Sequence, residues 1–377
     1  MLFPGSNGQT TSEKYYNPAL TGVRFVAAAL IYIFHFHPWS NHLGRFPKSA
    51  LDELYIGVSI FFVLSGHLIT KRYAQESLPS CRWYFSYLRN RLARVYPLAF
   101  VVSLVALIYT QQANLSTWLV YLSLTPAWFD STIFSAAPHL WTLTEEECFY
   151  ISSPFLTIAL RRLPLLVVTG LLYIVGIALV LISHQLHLDP FLPTLQFMFT
   201  YSFFGRAFEF LCGAYLPLHG SKIAALQYRH LSLASLLGIT AAVMLLVISK
   251  QGQGILAFHA IPGLVLHNTL LPLPTALFIY SLDLRKGFLY RMLSNRVAVT
   301  LGKISFASYL IHDGFFMQMA RDLCNNGFVM TTILLLAFSA LLHFIVEEPL
   351  RRCFTSDVTG KYRRRKLAPA GEPKRSL

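Results

Sequence analysis

Residues 17–38, NPALTGVRFVAAALIYIFHFHP, decide how the rest of the chain is read. This is an apolar helix carrying two residues that are costly in a bilayer, Arg24 and His35. They stand eleven positions apart, which at about 100° per residue is three turns plus roughly 20°. Both side chains therefore share one helical face. Along the axis they are separated by roughly 16 Å, about half of a ~30 Å hydrocarbon core. One face thus presents a fixed cation near one end and a titratable base near the other. Ionisable residues inside a membrane are candidate functional groups. The alternative is that Arg24 snorkels to one interface and His35 sits at the other.

Working outward, the whole chain has this apolar character. Of its 377 residues 55% are hydrophobic and only 13% charged, with a mean hydropathy of +0.51. A soluble domain has nearer ~25% charged residues. Ten apolar runs are expected to span, at about 20–38, 55–73, 95–112, 145–161, 165–183, 199–218, 230–249, 262–282, 301–320 and 328–346. Residues 117–129 are too short to cross and carry Pro126, so they read as an interfacial or re-entrant piece. The fold class expected is an all-α integral membrane bundle of about ten transmembrane helices with both termini cytoplasmic. Residues 1–19 form a cytoplasmic segment without a cleavable signal, 20–350 the membrane domain, and 351–377 a basic cytoplasmic tail with no appended soluble domain.

The placement of charge supports that topology. The net charge is +14, from 31 Lys and Arg against 17 Asp and Glu. With the N-terminus inside, 26 of the 31 cations fall on the cytoplasmic side. Only Arg45, Lys48, Lys250 and Arg321 fall outside, and Arg206 lies within the membrane. This is the positive-inside asymmetry, so the basic charge faces anionic lipid and no nucleic-acid partner is expected. The five cysteines, at 81, 148, 212, 324 and 353, form no CxxC pair, and a disulfide framework is not expected. No His or Cys spacing matches a zinc site, so no metal is expected. No internal repeat of the transporter kind is visible. Nothing fixes an oligomeric state.

Several further residues are candidates for chemistry. A neutral imidazole suits general-base work on a hydroxyl, and His35 lies in the outer part of span one. His37, about 200° round, cannot face the same site. Span four opens with Glu145, Glu146 and Glu147 after Thr144, which fits a capping box. The same carboxylates could orient or charge-stabilise His35. In span six Arg206 and Glu209 stand three apart and read first as a structural ion pair. In span nine Ser305, Ser308, Tyr309 and His312 share a polar face, with His312 near mid-membrane. Arg89, Arg91 and Arg94 read either as positive-inside anchors or as a phosphate-recognising cluster.

In order along the chain, these segments resemble one family. Arg24 and His35 match an R-x10-H pattern; residues 57–66, GVSIFFVLSG, resemble GVDLFFVLSG; residues 89–97, RNRLARVYP, resemble RRLxRIYP. Residues 139–150, HLWTLTEEECFY, resemble HLWSLSVEEQFY; residues 206–213, RAFEFLCG, resemble RxxEFLLG. Residues 304–312, ISFASYLIH, resemble ISYSLYLWH, and 347–352 resemble IExPLRR. The chain thus resembles the membrane-bound acyltransferase-3 family, whose members acylate cell-envelope and secreted glycans. It departs from the family pattern in carrying Ser59 for Asp, His67 for Phe and Cys148 for Gln.

The resemblance implies a membrane O-acyltransferase of the plasma (bacterial inner) membrane, with no bound cofactor. An acyl-CoA, acetyl-CoA above all, would be the co-substrate and a glycan hydroxyl the acceptor. It implies His35 as catalytic base, with Glu146, Glu147 and His312 in the catalytic set. Arg24, Ser65, Arg89, Arg91, Arg94, Trp141, Tyr150, Arg206, Glu209 and Tyr309 would contact donor or substrate. The rival class is a transporter or flippase of a lipid-linked saccharide. A structural scaffold would leave the shared face of Arg24 and His35 without a role.

Overall fold

The computed structural model describes residues 16–39, 43–74, 78–222, 230–250, 256–257 and 260–355. Most of the two terminal segments expected from sequence therefore lies outside the described residues. Among those described, the regular secondary structure is helical apart from an isolated bridge between Phe129 and Phe191.

Helix α1 (Pro18–His35) starts where its sequence says it should. Asn17 Oδ1 accepts from the Ala19 N–H at 3.0 Å and Pro18 fills the first position. A short α2 (Arg45–Asp52) and a 3-10 turn (Glu53–Ile56) lead into α3 (Gly57–Tyr73). The long α4 (Cys81–Tyr109) is capped by Ser80 and carries Pro97 inside it. Next comes α5 (Leu115–Leu122), where the interfacial piece was expected, followed by 3-10 turns at Pro126–Trp128 and Pro138–Leu140. Then follow α6 (Trp141–Arg162), α7 (Leu165–Gln185), α8 (Leu195–Tyr201), α9 (Phe203–His219) and α10 (Leu231–Ser249). Helices α11 (Ile261–Val265) and α12 (Pro272–Asp283) are joined by a π turn. The described residues end with α13 (Phe288–Leu293), α14 (Arg296–Ile311), α15 (Phe315–Leu323), α16 (Phe328–Leu342), a second π turn and α17 (Glu348–Phe354).

Among the described residues, seven helical stretches are long and apolar enough to cross a membrane: Pro18–His35, Arg45–Tyr73, Cys81–Tyr109, Leu165–Gln185, Leu231–Ser249, Ile261–Asp283 and Phe328–Phe354. The protein is therefore a multi-pass membrane protein. The expected spans at 145–161, 199–218 and 301–320 fall on α6, α9 and α14, which are not among these seven. Helix α9 has 17 residues and α14 has 16, about 24–26 Å of rise, and α6 carries three glutamates in its second turn. Their polar content goes with an interior position. Helices α7, α10 and α16 instead turn large apolar side chains outward, among them Leu171, Ile174, Leu237, Ile248, Ile333 and Leu341. A lipid solvent calls for such a surface.

The interior is built on close backbone approaches. Helices α3 and α9 meet through reciprocal glycines: a Cβ on Gly66 would lie 2.1 Å from the Phe210 carbonyl oxygen, and one on Gly213 1.9 Å from that of Val63. Helices α1 and α14 meet at Gly302, where a Cβ would lie 2.0 Å from the Thr21 oxygen. Small residues let membrane helices pack this tightly. Opposite His35, one end of the bundle is tied by Asp283, which takes up Lys71, His67 at 3.3 Å and Asn17 at 3.2 Å. The departure at His67 thus joins α3 to α12.

Two local expectations are corrected. Helix α6 begins at Trp141, so Thr144 and Glu147 lie inside it and form no capping box. The Thr144 hydroxyl instead donates to the Leu124 carbonyl at 2.9 Å and accepts from the Ala127 N–H at 3.3 Å. Tertiary contacts with the preceding loop took the hydroxyl that a cap would have used. Span nine does not run on to residue 320. Helix α14 ends at Ile311, and Gly314, with φ +73°, turns the chain before α15. Glycine alone adopts that backbone without strain.

Candidate active site

Helices α1 and α14 lie side by side and both stop at the same level, bringing the rings of His35 and His312 together edge to face. Their ring centroids are 4.9 Å apart. The His139 ring, from the turn before α6, lies 5.2 Å from that of His312, and Tyr309 lies 5.2 Å from it on another side. These imidazoles line a cavity of about 190 Å³, walled also by Tyr55, Trp141 and Tyr201. Asp313 follows His312 in the turn that Gly314 makes possible. Its Oδ2 lies 4.0 Å from His35 Nδ1, in ion-pair range but beyond a hydrogen bond.

The two facing histidines differ in surroundings. The His35 side chain is 32% exposed, whereas His312 is 3% exposed. His312 Nδ1 faces the Tyr309 carbonyl, which only accepts, so Nδ1 carries the hydrogen. Its buried Nε2 has no partner and presents a lone pair. The Tyr309 hydroxyl donates to the His139 carbonyl at 2.9 Å and pairs with the Thr142 hydroxyl at 2.6 Å. Burial pushes the pKa of His139, which lies outside the spanning helices, down to about 4. The nearby Asp313 acts in the opposite sense. His139 is therefore neutral near pH 7.

A second cavity, of about 60 Å³, lies further back along α1. Arg24, Arg94, Glu146, Ser65, Tyr150 and Tyr309 line it. Glu146 accepts from the Ser65 hydroxyl at 2.9 Å and from the Tyr150 hydroxyl. Val58 and Tyr309 line both cavities, so the two meet back to back. The shared face of α1 that helical periodicity assigns to Arg24 and His35 is the face along which they are aligned. Arg91 is buried behind this cavity. It donates to the Tyr73 hydroxyl at 3.0 Å and stacks 4.8 Å from that ring.

Not every residue expected in the site is brought to it. Arg206 and Glu209 form a two-pronged buried pair, Nε to Oε2 and Nη2 to Oε1 at 3.0 Å each, and line neither cavity. Ser59 donates to Glu209 at 2.7 Å where the family pattern would place a second carboxylate. Both residues lie on α9, and Ser59 ties the pair to α3. Trp141 bridges the regions, lining the His35 cavity while Arg206 sits 5.8 Å from its ring. Arg89 is exposed on α4, directed away from Arg91 and Arg94, which follow it by two and five positions, about 200° and 140° round the helix. Glu147 lines neither cavity, and Glu145 is fully buried with no hydrogen-bond partner for either oxygen. No glutamate lines the His35 cavity; the carboxylate in ion-pair range of His35 is Asp313. Drawing span nine through to residue 320 hid Asp313, and the Gly314 one position later was the available signal. Among the described residues no group of three or more His, Cys, Asp or Glu could hold a metal ion.

Comparison with known proteins follows the same lines. A family profile described as an acyltransferase domain matches residues 17–347. A Staphylococcus aureus (strain MSSA476) protein named Putative O-acetyltransferase SAS0844 is 29% identical over 177 residues, covering 41% of this chain and 27% of that protein. The chain thus spans about a quarter of the length of that relative. Acyltransferase MdmB of Streptomyces mycarofaciens is 26% identical over 403 residues, covering 94% of this chain and 95% of its own. Nodulation protein 10 of Rhizobium leguminosarum bv. viciae is 32% identical over 168 residues, covering 37% and 44%. No solved structure matches.

Proposed function

The chain belongs to the acyltransferase-3 family, and from that premise we propose that it is an O-acyltransferase of the plasma (bacterial inner) membrane. It takes an acyl group, acetyl in the first instance, from acyl-CoA and passes it to a hydroxyl of an extracytoplasmic or lipid-linked glycan. The observation that carries this reading is the pair of cavities meeting at Val58 and Tyr309. One is lined by guanidinium and carboxylate groups, the other by imidazoles.

In this reading the donor enters from the cytoplasmic side along the Arg24 cavity. Arg24 and Arg94 offer planar forks for its polar groups. Glu146, held by Ser65 and Tyr150, fixes the cavity wall between them. The acceptor enters the larger His35 cavity from outside. His35 removes the acceptor hydroxyl proton, and the oxygen attacks the thioester carbonyl carbon. The carbon–oxygen bond forms as the carbon–sulfur bond breaks, and the departing thiolate takes the proton back from His35. The products are an O-acyl glycan and free CoA. Asp313 lies where it can draw in to hold and charge-balance the imidazolium that forms between those steps.

The test is purified protein in nanodiscs with labelled acetyl-CoA and a panel of cell-envelope glycans. The expected result is free CoA together with a glycan mass gain of one acyl group. If no thioester is consumed while a lipid-linked saccharide crosses the bilayer, the protein is a transporter and this reading fails.

A further inference from the structure

A third cavity of about 100 Å³ lies between α1, α14 and α16, and neither step above uses it. Its walls are small or apolar side chains: Ala28 and Ala29 of α1, Ser308 of α14 and Leu336 of α16. At its outer end a hydrogen bond from Tyr32 to Thr332, 2.8 Å long, ties α1 to α16. Two residues connect it to the rest of the site. Ser305 lines both this cavity and the Arg24 cavity. His312 lines both this cavity and the His35 cavity, and its buried Nε2 has no partner. The third cavity therefore touches the donor path and the reaction centre together.

We infer that this cavity is the acyl-chain pocket of the enzyme, and that the protein accepts short straight-chain acyl groups longer than acetyl. The inference rests on the acyl-CoA reading proposed above. A thioester whose carbonyl stands between Tyr309 and His35 has a thiol arm running back toward Arg24 and an acyl tail that must go elsewhere. The space beside His312 is mostly apolar and borders both. A bilayer lipid tail would need access only from the membrane side and no contact with the reaction centre. Size sets the length: an apolar cavity of ~150 Å³ holds benzene, so about 100 Å³ holds roughly four carbons. Each methylene buried there is expected to raise kcat/KM about fourfold, so butyryl, with two more than acetyl, should exceed it by roughly fifteenfold. The bonds made and broken are those of acetyl transfer, with only the carried group changed.

The experiment compares acetyl-, butyryl-, hexanoyl- and octanoyl-CoA as donors for the full-length protein in nanodiscs. CoA release and the mass of the acylated glycan are followed. Wild type is expected to peak at butyryl and fall at octanoyl. Ala29→Leu, which fills the cavity, should lower the butyryl-to-acetyl ratio at least tenfold. Leu336→Ala, which enlarges it from another helix, should move the peak one or two carbons longer, and serves should the α1 variant not fold. Transfer of acetyl alone, or a chain-length profile unchanged by both substitutions, overturns the pocket and leaves the acyltransferase reading standing. Consumption of no thioester of any length overturns both.

Discussion

The Arg206–Glu209 pair and the His35–His312 pair are both polar groups held among helices, yet they are finished differently. Arg206 gives two hydrogen bonds to Glu209, and Ser59 gives Glu209 another. Both partners are 1% exposed or less. The histidines face one another across a cavity with Nε2 of His312 unpartnered and Asp313 standing 4.0 Å from His35. A charge buried in hydrocarbon is tolerated when paired, and pairing leaves nothing over for a substrate. Incomplete satisfaction beside open space is what distinguishes groups poised to exchange protons. In the proposed mechanism the histidine pair is accordingly the centre of the chemistry, and the Arg206 pair, tied to α3 through Ser59, is structural.

The largest effect on turnover should come from His35→Ala. Acyl transfer is expected to fall roughly a hundredfold to ten-thousandfold, the range lost with a general base, while expression and thermal stability stay near wild type. A variant that still transfers acyl groups would move the base elsewhere, His312 being next in line. Arg206→Ala should do the reverse. Leaving Glu209 buried without its partner should cost roughly 3–5 kcal/mol of stability, seen as poor yield and a lowered melting temperature in detergent. A stable but inactive Arg206→Ala protein would reassign the pair to substrate contact.

Glu146→Gln should be next, lowering kcat/KM by roughly tenfold or more, since it removes a charge that accepts from Ser65 and Tyr150 between two guanidinium groups. Glu147→Gln, on the same turn but outside the cavity, should change turnover less than about twofold. Equal effects from the two would return the acid cluster to a structural part in the helix. The smallest effect on turnover expected within the site is that of Asp313→Asn. Loss of the charge beside His35 should lower kcat several-fold and leave KM unchanged, measured at saturating donor.

The level of detail readable from sequence followed the range of the interactions. The start of α1 at Asn17 and Pro18, the apolar helices and the alignment of Arg24 with His35 are local matters of capping and a 3.6-residue period. Where the reading failed, a longer-range contact had intervened. The Thr144 hydroxyl was claimed by Leu124 and Ala127, so the expected capping box never formed. The break at Gly314 was readable in principle, but an apolar run carried the span past it and Asp313 with it.

By itself, then, the sequence determined a helical membrane protein and one helix face carrying a cation and an imidazole. It also carried the ordered motifs that resemble one family. Only the tertiary structure decided which groups share a cavity. It set Asp313 and His139 beside the facing histidines, gave Glu146 to the Arg24 cavity and withdrew Arg206 into a joint. The cause is geometric. Periodicity fixes the direction of a side chain about its own helix axis, but its neighbour is chosen by how helices hundreds of residues apart cross. Those crossings are set by close contacts such as Gly302 against Thr21 and Gly66 against Phe210, which no local pattern records.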